Sequence, residues 1–212
     1  MIRAVIFDLD GVIVNPWVGG IESYQKALVA GGYKKPTKAA VHRLFHLPAE
    51  GTLKSLTGQT DPAEIKRLIK LLSEADETET KTGSPKNCAS VIKKLSHSYK
   101  LAIVSHSPKK RVRKLLRLAK VLKHFKVIVP IEDFKNPKPH PESLLIAARR
   151  LGVKPSDSVY VGDRYVDIEA ANSAGMKSIG FLGFVEHRLP KADFETRRFA
   201  SIPLLIKKLD AR

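Results

Sequence analysis

Five short apolar runs, at residues 2–7, 100–105, 126–130, 158–162 and 177–182, punctuate this 212-residue chain, with helical periodicity between most of them. That alternation constrains the fold more than any other feature. Strands separated by helices are joined by crossovers, and such a chain closes into a parallel sheet covered on both faces. The expected class is therefore α/β, with a Rossmann-like core. In open sheets of this kind ligands bind beyond the carboxyl ends of the strands, where the strand order reverses. Three of the runs end in residues able to do chemistry there: the first in Asp8-Leu9-Asp10-Gly11, the second in Ser105, the fourth in Gly162-Asp163.

One long stretch, from about 15 to 81, breaks the alternation because it holds helical patterns and no convincing strand. Ile21 to Ala30, Thr37 to Leu47 and Ala63 to Leu72 each repeat apolar residues at helical spacing, and Asp61-Pro62 with Glu64 supplies a cap and first turn. Thr78 to Ser84 reads as a polar return linker. The expected division is a core domain of residues 1–14 and 82–212 and a small all-helical domain of residues 15–81 inserted after the first strand.

Asp8 and Asp10 leave a strand on the same side, because strand side chains alternate faces. Two like charges side by side raise each other's pKa unless a cation sits between them or one holds a proton. A divalent metal would resolve the conflict, and so would a division of labour between nucleophile and proton carrier; alone, the pair could also be two caps. Asp167 follows Asp163 by four residues, one helical turn, so both carboxylates can face one point. Between the pairs, Asn136-Pro137-Lys138-Pro139-His140-Pro141-Glu142 holds a single lysine in a stretch stiffened by three prolines.

In this order and spacing the segments resemble the four motifs of the haloacid dehalogenase superfamily. Asp8, Asp10 and Gly11 match the first motif, Ser105 the second, Lys138 the third, and Gly162, Asp163 and Asp167 the fourth, over a pattern running from residue 1 to about 182. The resemblance implies a phosphatase in which Asp8 attacks phosphorus and forms an aspartyl phosphate, while Asp10 is general acid and then general base. An anionic Asp8 would favour the protonated form of Asp10. It also implies Mg2+, held by Asp8, Asp163 and the Asp10 carbonyl, with Asp167 orienting a bound water or Lys138. Ser105 would donate to a phosphoryl oxygen, helped by amides of the helix that Ser107 and Pro108 open, and Lys138 would supply fixed positive charge. The helical insert resembles the family's small cap, which closes over the crevice and selects substrates, with Arg43, His46 and Thr52 as candidate specificity residues.

Departures from the pattern narrow the choice among relatives. Dehalogenases lack the second aspartate, so Asp10 argues against carbon–halogen cleavage. The mutases place a histidine in the early cap helix, where this chain has Ile21 to Lys26, and an arginine in a cap loop, where it has Ala49. His106 stands where relatives carry asparagine, and either contacts the leaving group or stacks in the wall. The first expectation is thus a phosphatase of a small phosphorylated metabolite, resembling phosphoglycolate phosphatases. The alternatives are a phosphatase of nucleotide or nucleic-acid phosphates and a non-catalytic polyanion-binding protein.

The net charge of +17 bears on the partner. Lys109 to Lys126 holds nine lysines and arginines and no acidic residue, with Val112, Leu115, Ala119 and Leu122 at helical spacing behind them, which describes one amphipathic helix with a solvated basic face. Nucleic acid is a possible partner and not the favoured one, since zinc-ligand spacing and a glycine-aromatic RNA-binding signature are both missing. A single cysteine, Cys88, excludes an internal disulfide framework and fits a reducing compartment. With no apolar run near ~20 residues and a first segment that enters a strand directly, no membrane is expected and the cytoplasm is the expected location.

Overall fold

The structure, a computed structural model, describes residues 1–15, 17–44, 47–78 and 83–211. The chain divides into two compact units, one of residues 1–15 with 84–212 and one of residues 16–83.

In the first unit, β1 (Ala4–Phe7), β2 (Lys100–Val104), β3 (Val127–Val129), β4 (Ser158–Gly162), β5 (Lys177–Phe181) and β6 (Phe194–Thr196) form one sheet in the order β3-β2-β1-β4-β5-β6. Every pairing is parallel, with Phe7 opposite Ile103 on one side and Val161 on the other. The order reverses beside β1, which places the ends of β1, β2 and β4 at the switch point. Five strands coincide with the apolar runs; β6 was not expected, because three residues, Phe-Glu-Thr, leave no run to see.

Strand alternation builds a core on each face. Val5, Phe7, Leu101, Ile103, Val159 and Val161 point one way, and Ala4, Ile6, Ala102, Val104 and Tyr160 the other. Each large side chain so buried contributes about 1.5–3 kcal/mol relative to exposure.

The second unit holds α1 (Gly20–Ala30), α2 (Lys38–Leu44), α3 (Ala49–Thr57) and α4 (Pro62–Thr78). Tyr24, Leu28, Val41, Leu53, Ile65 and Leu68 form its core. Arg67 pairs with Glu64 at 2.7 Å, and the Tyr33 hydroxyl donates to the same carboxylate at 3.0 Å. The helix expected over residues 37–47 is described over Lys38–Leu44, with residues 45 and 46 outside the described residues, and α3 is an added element between Pro48 and Gly58, whose φ of 72° stops it. His46 and most of the Thr78–Ser84 linker lie outside the described residues.

Helices α5 (Cys88–Ser98), α6 (Lys109–Leu118) and α9 (Ile202–Asp210) pack on the first face of the sheet, and α7 (Glu142–Leu151) and α8 (Tyr165–Ser173) on the second. The single helix expected from Lys109 to Lys126 needs correction. Lys120 is left-handed, with φ of 60°, which ends α6; a short 3-10 turn, Leu122–His124, follows before β3. Cys88 is buried, and burial pushes its thiol up to about 12. No helix among the described residues is long and apolar enough to cross a membrane.

Candidate active site

The sheet delivers Asp8 from β1, Ser105 from β2 and Asp163 from β4 to neighbouring positions, all three nearly buried. The Asp8 amide donates to the Val161 carbonyl at 2.9 Å, continuing the ladder one residue past the strand. Two glycines make the close approach possible. A side chain on Gly11, whose φ is 85°, would overlap the Asp163 carboxylate, and one on Gly162 would overlap Asp167 at the start of α8.

Lys138 is the hub. Its Nζ donates to Asp8 Oδ1 at 2.5 Å, to Asp167 Oδ1 at 2.5 Å and to the Tyr160 hydroxyl at 3.0 Å, which spends all three ammonium protons. Burial would lower its pKa, yet Asp167 and Asp8 together drive it well above the usual lysine range, so the charge is fixed. Asp167 is fully engaged: Oδ1 also accepts from Tyr160 at 3.3 Å, and Oδ2 accepts the Arg164 amide at 3.0 Å. Asp167 thus faces Lys138 and its own helix start.

Burial raises Asp8 to about 7, with Lys138 opposing and Asp167 and Asp10 adding to the rise. Asp10 behaves in the opposite way. Burial would lift its carboxyl as well, but the Arg111 guanidinium holds both oxygens, Nη1 to Oδ2 at 2.7 Å and Nη2 to Oδ1 at 3.0 Å, and keeps it below the ordinary range. Ser107 Oγ accepts from Arg111 at 2.6 Å and donates to Asp10 Oδ2 at 3.3 Å. The expectation that a charged Asp8 leaves Asp10 protonated therefore meets a cation it did not include.

His106 accepts the Lys138 amide on Nε2 at 3.2 Å and lies 5.6 Å from the Phe134 ring. Burial and Lys138 push its imidazole down to about 4, which keeps it neutral and able to accept. Ser105 Oγ accepts the Ser107 amide at 3.1 Å. The first amide of α6, on Lys109, is taken by the Glu132 carboxylate at 3.0 and 3.2 Å.

The donor set fits a hard divalent cation. Asp163 Oδ1 is buried without a hydrogen-bond partner, and burial together with Asp167 and Asp8 drives its carboxyl well above the carboxylate range. An orphaned buried oxygen of this kind calls for a cation or a proton. Among the described residues no three acidic, histidine or cysteine side chains converge. Mg2+ does not require three, because it commonly takes one or two carboxylates and completes its shell with water and substrate phosphate. Arg111, Tyr160 and His187, whose Nε2 lies 2.9 Å from the Asp163 carbonyl oxygen, were not among the expected residues. Tyr160 carried a readable signal, since a tyrosine inside a buried strand needs a partner for its hydroxyl.

The family model for haloacid dehalogenase-like hydrolases matches residues 5–181. The chain belongs to that family. Phosphoglycolate phosphatase from Salmonella choleraesuis (strain SC-B67) is 32% identical over 203 residues, covering 84% of this chain and 81% of the relative. The enzyme of the same name from Escherichia coli (strain K12) is 27% identical over the same shares. Among solved structures, β-phosphoglucomutase from Clostridium difficile superposes with a TM-score of 0.76 at 23% identity, covering 100% of this chain and 98% of that one, and so shares the fold. Family and relatives together make this haloacid dehalogenase-like hydrolase a phosphoric monoester hydrolase.

Proposed function

We propose that this hydrolase is a magnesium-dependent phosphatase of a small phosphate monoester, working through an aspartyl phosphate on Asp8. The observation that carries the reading is that Asp8 accepts from the fixed Lys138 ammonium and lies near enough to Asp163, whose Oδ1 has no partner, to raise its pKa. One Asp8 oxygen attacks phosphorus as the ester P–O bond breaks, and Asp10 delivers a proton to the departing alkoxide. Water then attacks the acyl phosphate, Asp10 takes its proton, and cleavage of the new P–O bond returns Asp8 and releases phosphate. Mg2+, held by Asp8, Asp163 and the Asp10 carbonyl, would offset the repulsion between an acidic pocket and an anionic substrate. Asp167 and Tyr160 hold Lys138 in place, His106 supports its backbone, and Ser105 receives a phosphoryl oxygen. The relatives point to a phosphorylated hydroxy acid of the phosphoglycolate kind as substrate class.

The test is phosphate release from a monoester panel with and without Mg2+, for wild type and Asp8→Asn. Wild type should require the metal, and the variant should fall by at least about 10³-fold, because an amide is a poor nucleophile. Near wild-type turnover by a folded Asp8→Asn variant would refute the assignment.

A further inference from the structure

We propose that the outer face formed by α5, α6 and the turn at Leu122–His124 is a docking surface for the phosphate backbone of duplex nucleic acid, separate from the Asp8 site. Residues 84 to 131 contain thirteen lysines and arginines and not one aspartate or glutamate, so most of the +17 resides there. Arg111 turns in to Asp10 and Lys100 to the Leu151 carbonyl, and the fold gathers much of the remaining charge onto one surface. Val91, Ile92 and Leu95 of α5 and Val112 and Leu116 of α6 enter the same core, which leaves the opposite sides of both helices to solvent. Because Lys120 turns the chain back, the 3-10 turn lies against both helices, and Ser96 Oγ meets His124 Nδ1 at 3.1 Å. The cations after α6 therefore lie beside α5 instead of extending along a lone helix.

Lys93, Lys94, Arg113, Arg117, Lys120 and Lys123 are all exposed, and among the described residues none has an acidic partner. Several cations elsewhere on the surface are paired: Lys54 with Glu50, Arg150 with Asp133, Lys177 with Asp193 and Arg188 with Glu195. Six like charges gathered on one face repel one another and lower the stability of the fold that carries them, and a polyanion relieves that cost. Three observations select among polyanions. No large apolar side chain of α5, α6 or the turn is exposed, so the face has little to insert into a lipid surface and no exposed phenylalanine, tyrosine or tryptophan on which single-stranded bases would stack. Helices of 11 and 10 residues, both packed against the Leu122–His124 turn, give a face roughly 15 Å long and 20 Å across. With one charge per ~3.4 Å along each strand of the duplex, that span faces on the order of five phosphates of one strand.

The test is anisotropy of a labelled 20-base-pair DNA duplex of mixed sequence, titrated with the full chain from 50 to 200 mM NaCl. Binding is expected to weaken with a log–log slope of about −4, since each neutralised phosphate contributes about 0.9. Combined Lys93→Glu, Arg113→Glu and Arg117→Glu should cut affinity at 100 mM salt by at least about tenfold and flatten the slope by about 3, with aryl-phosphate hydrolysis and melting temperature retained. Reversal of Lys34, Lys35 and Lys66 in the second unit, equal in charge, should cost far less. Equal loss from both triples would reduce the effect to net charge and overturn the surface. So would no binding at 50 mM salt, tighter binding to a single strand with as many phosphates, or stronger adsorption to phosphatidylcholine–phosphatidylserine vesicles than to duplex.

Discussion

Asp8 and Asp10 are two residues apart, yet one is lifted to about 7 by burial and the other is held down by Arg111. Environments that push neighbouring carboxyls apart are how acid and nucleophile roles are divided. Here the group proposed as proton donor is the one kept charged, so Asp10 must part from Arg111 to carry a proton. Asp10→Asn should slow alkyl phosphates by about 10²-fold or more and aryl phosphates with good leaving groups much less, as rates on both series will show; equal loss on both would remove Asp10 from acid–base work. His106 gives a pH prediction. Its folded pKa of about 4 lies below the unfolded 6.5, so the unfolded chain binds the extra proton between these values. The stability linked to neutral His106 is complete above pH 6.5 and is lost as pH falls towards 4, on the order of 1 kcal/mol after allowance for solvent screening. Melting temperatures of His106→Asn should therefore decline less than wild type over that window.

At the scale of elements, the site depends on how closely strand ends and helix starts approach. Gly162 closes β4, and Asp167 in the first turn of α8 occupies the space its side chain would need. Gly162→Ala should displace α8, cost about 1–3 kcal/mol in urea unfolding, and lower turnover by loosening Lys138. A stability loss with unchanged kcat would mean that Asp167 tolerates the shift. The apolar runs revealed β1, β2, β4 and β5 because a fully buried strand is apolar throughout. They could not reveal the end of α6, since Lys120 differs from its neighbours only in a backbone angle.

At the scale of the molecule, residues 16–83 carry a core of their own and the first unit carries two. Replacing 16–83 by a short linker should leave a folded unit that still binds Mg2+ and hydrolyses aryl phosphates weakly, with its ranking of natural monoesters flattened. An unchanged ranking across the panel would show that the insert takes no part in selection.

The sequence by itself determined the α/β class and put Asp8, Ser105 and Asp163 at the carboxyl ends of neighbouring parallel strands. Period and order are local properties, and the crossover rule converts them into topology. Only the tertiary structure decided which cation meets which carboxylate. Arg111 is one of nine lysines and arginines between Lys109 and Lys126. Its selection as the partner of Asp10 depends on where Pro108 starts the helix and on the phase at which α6 packs against the sheet, which fixes Arg111 toward Asp10 and leaves Arg113 and Arg117 in solvent.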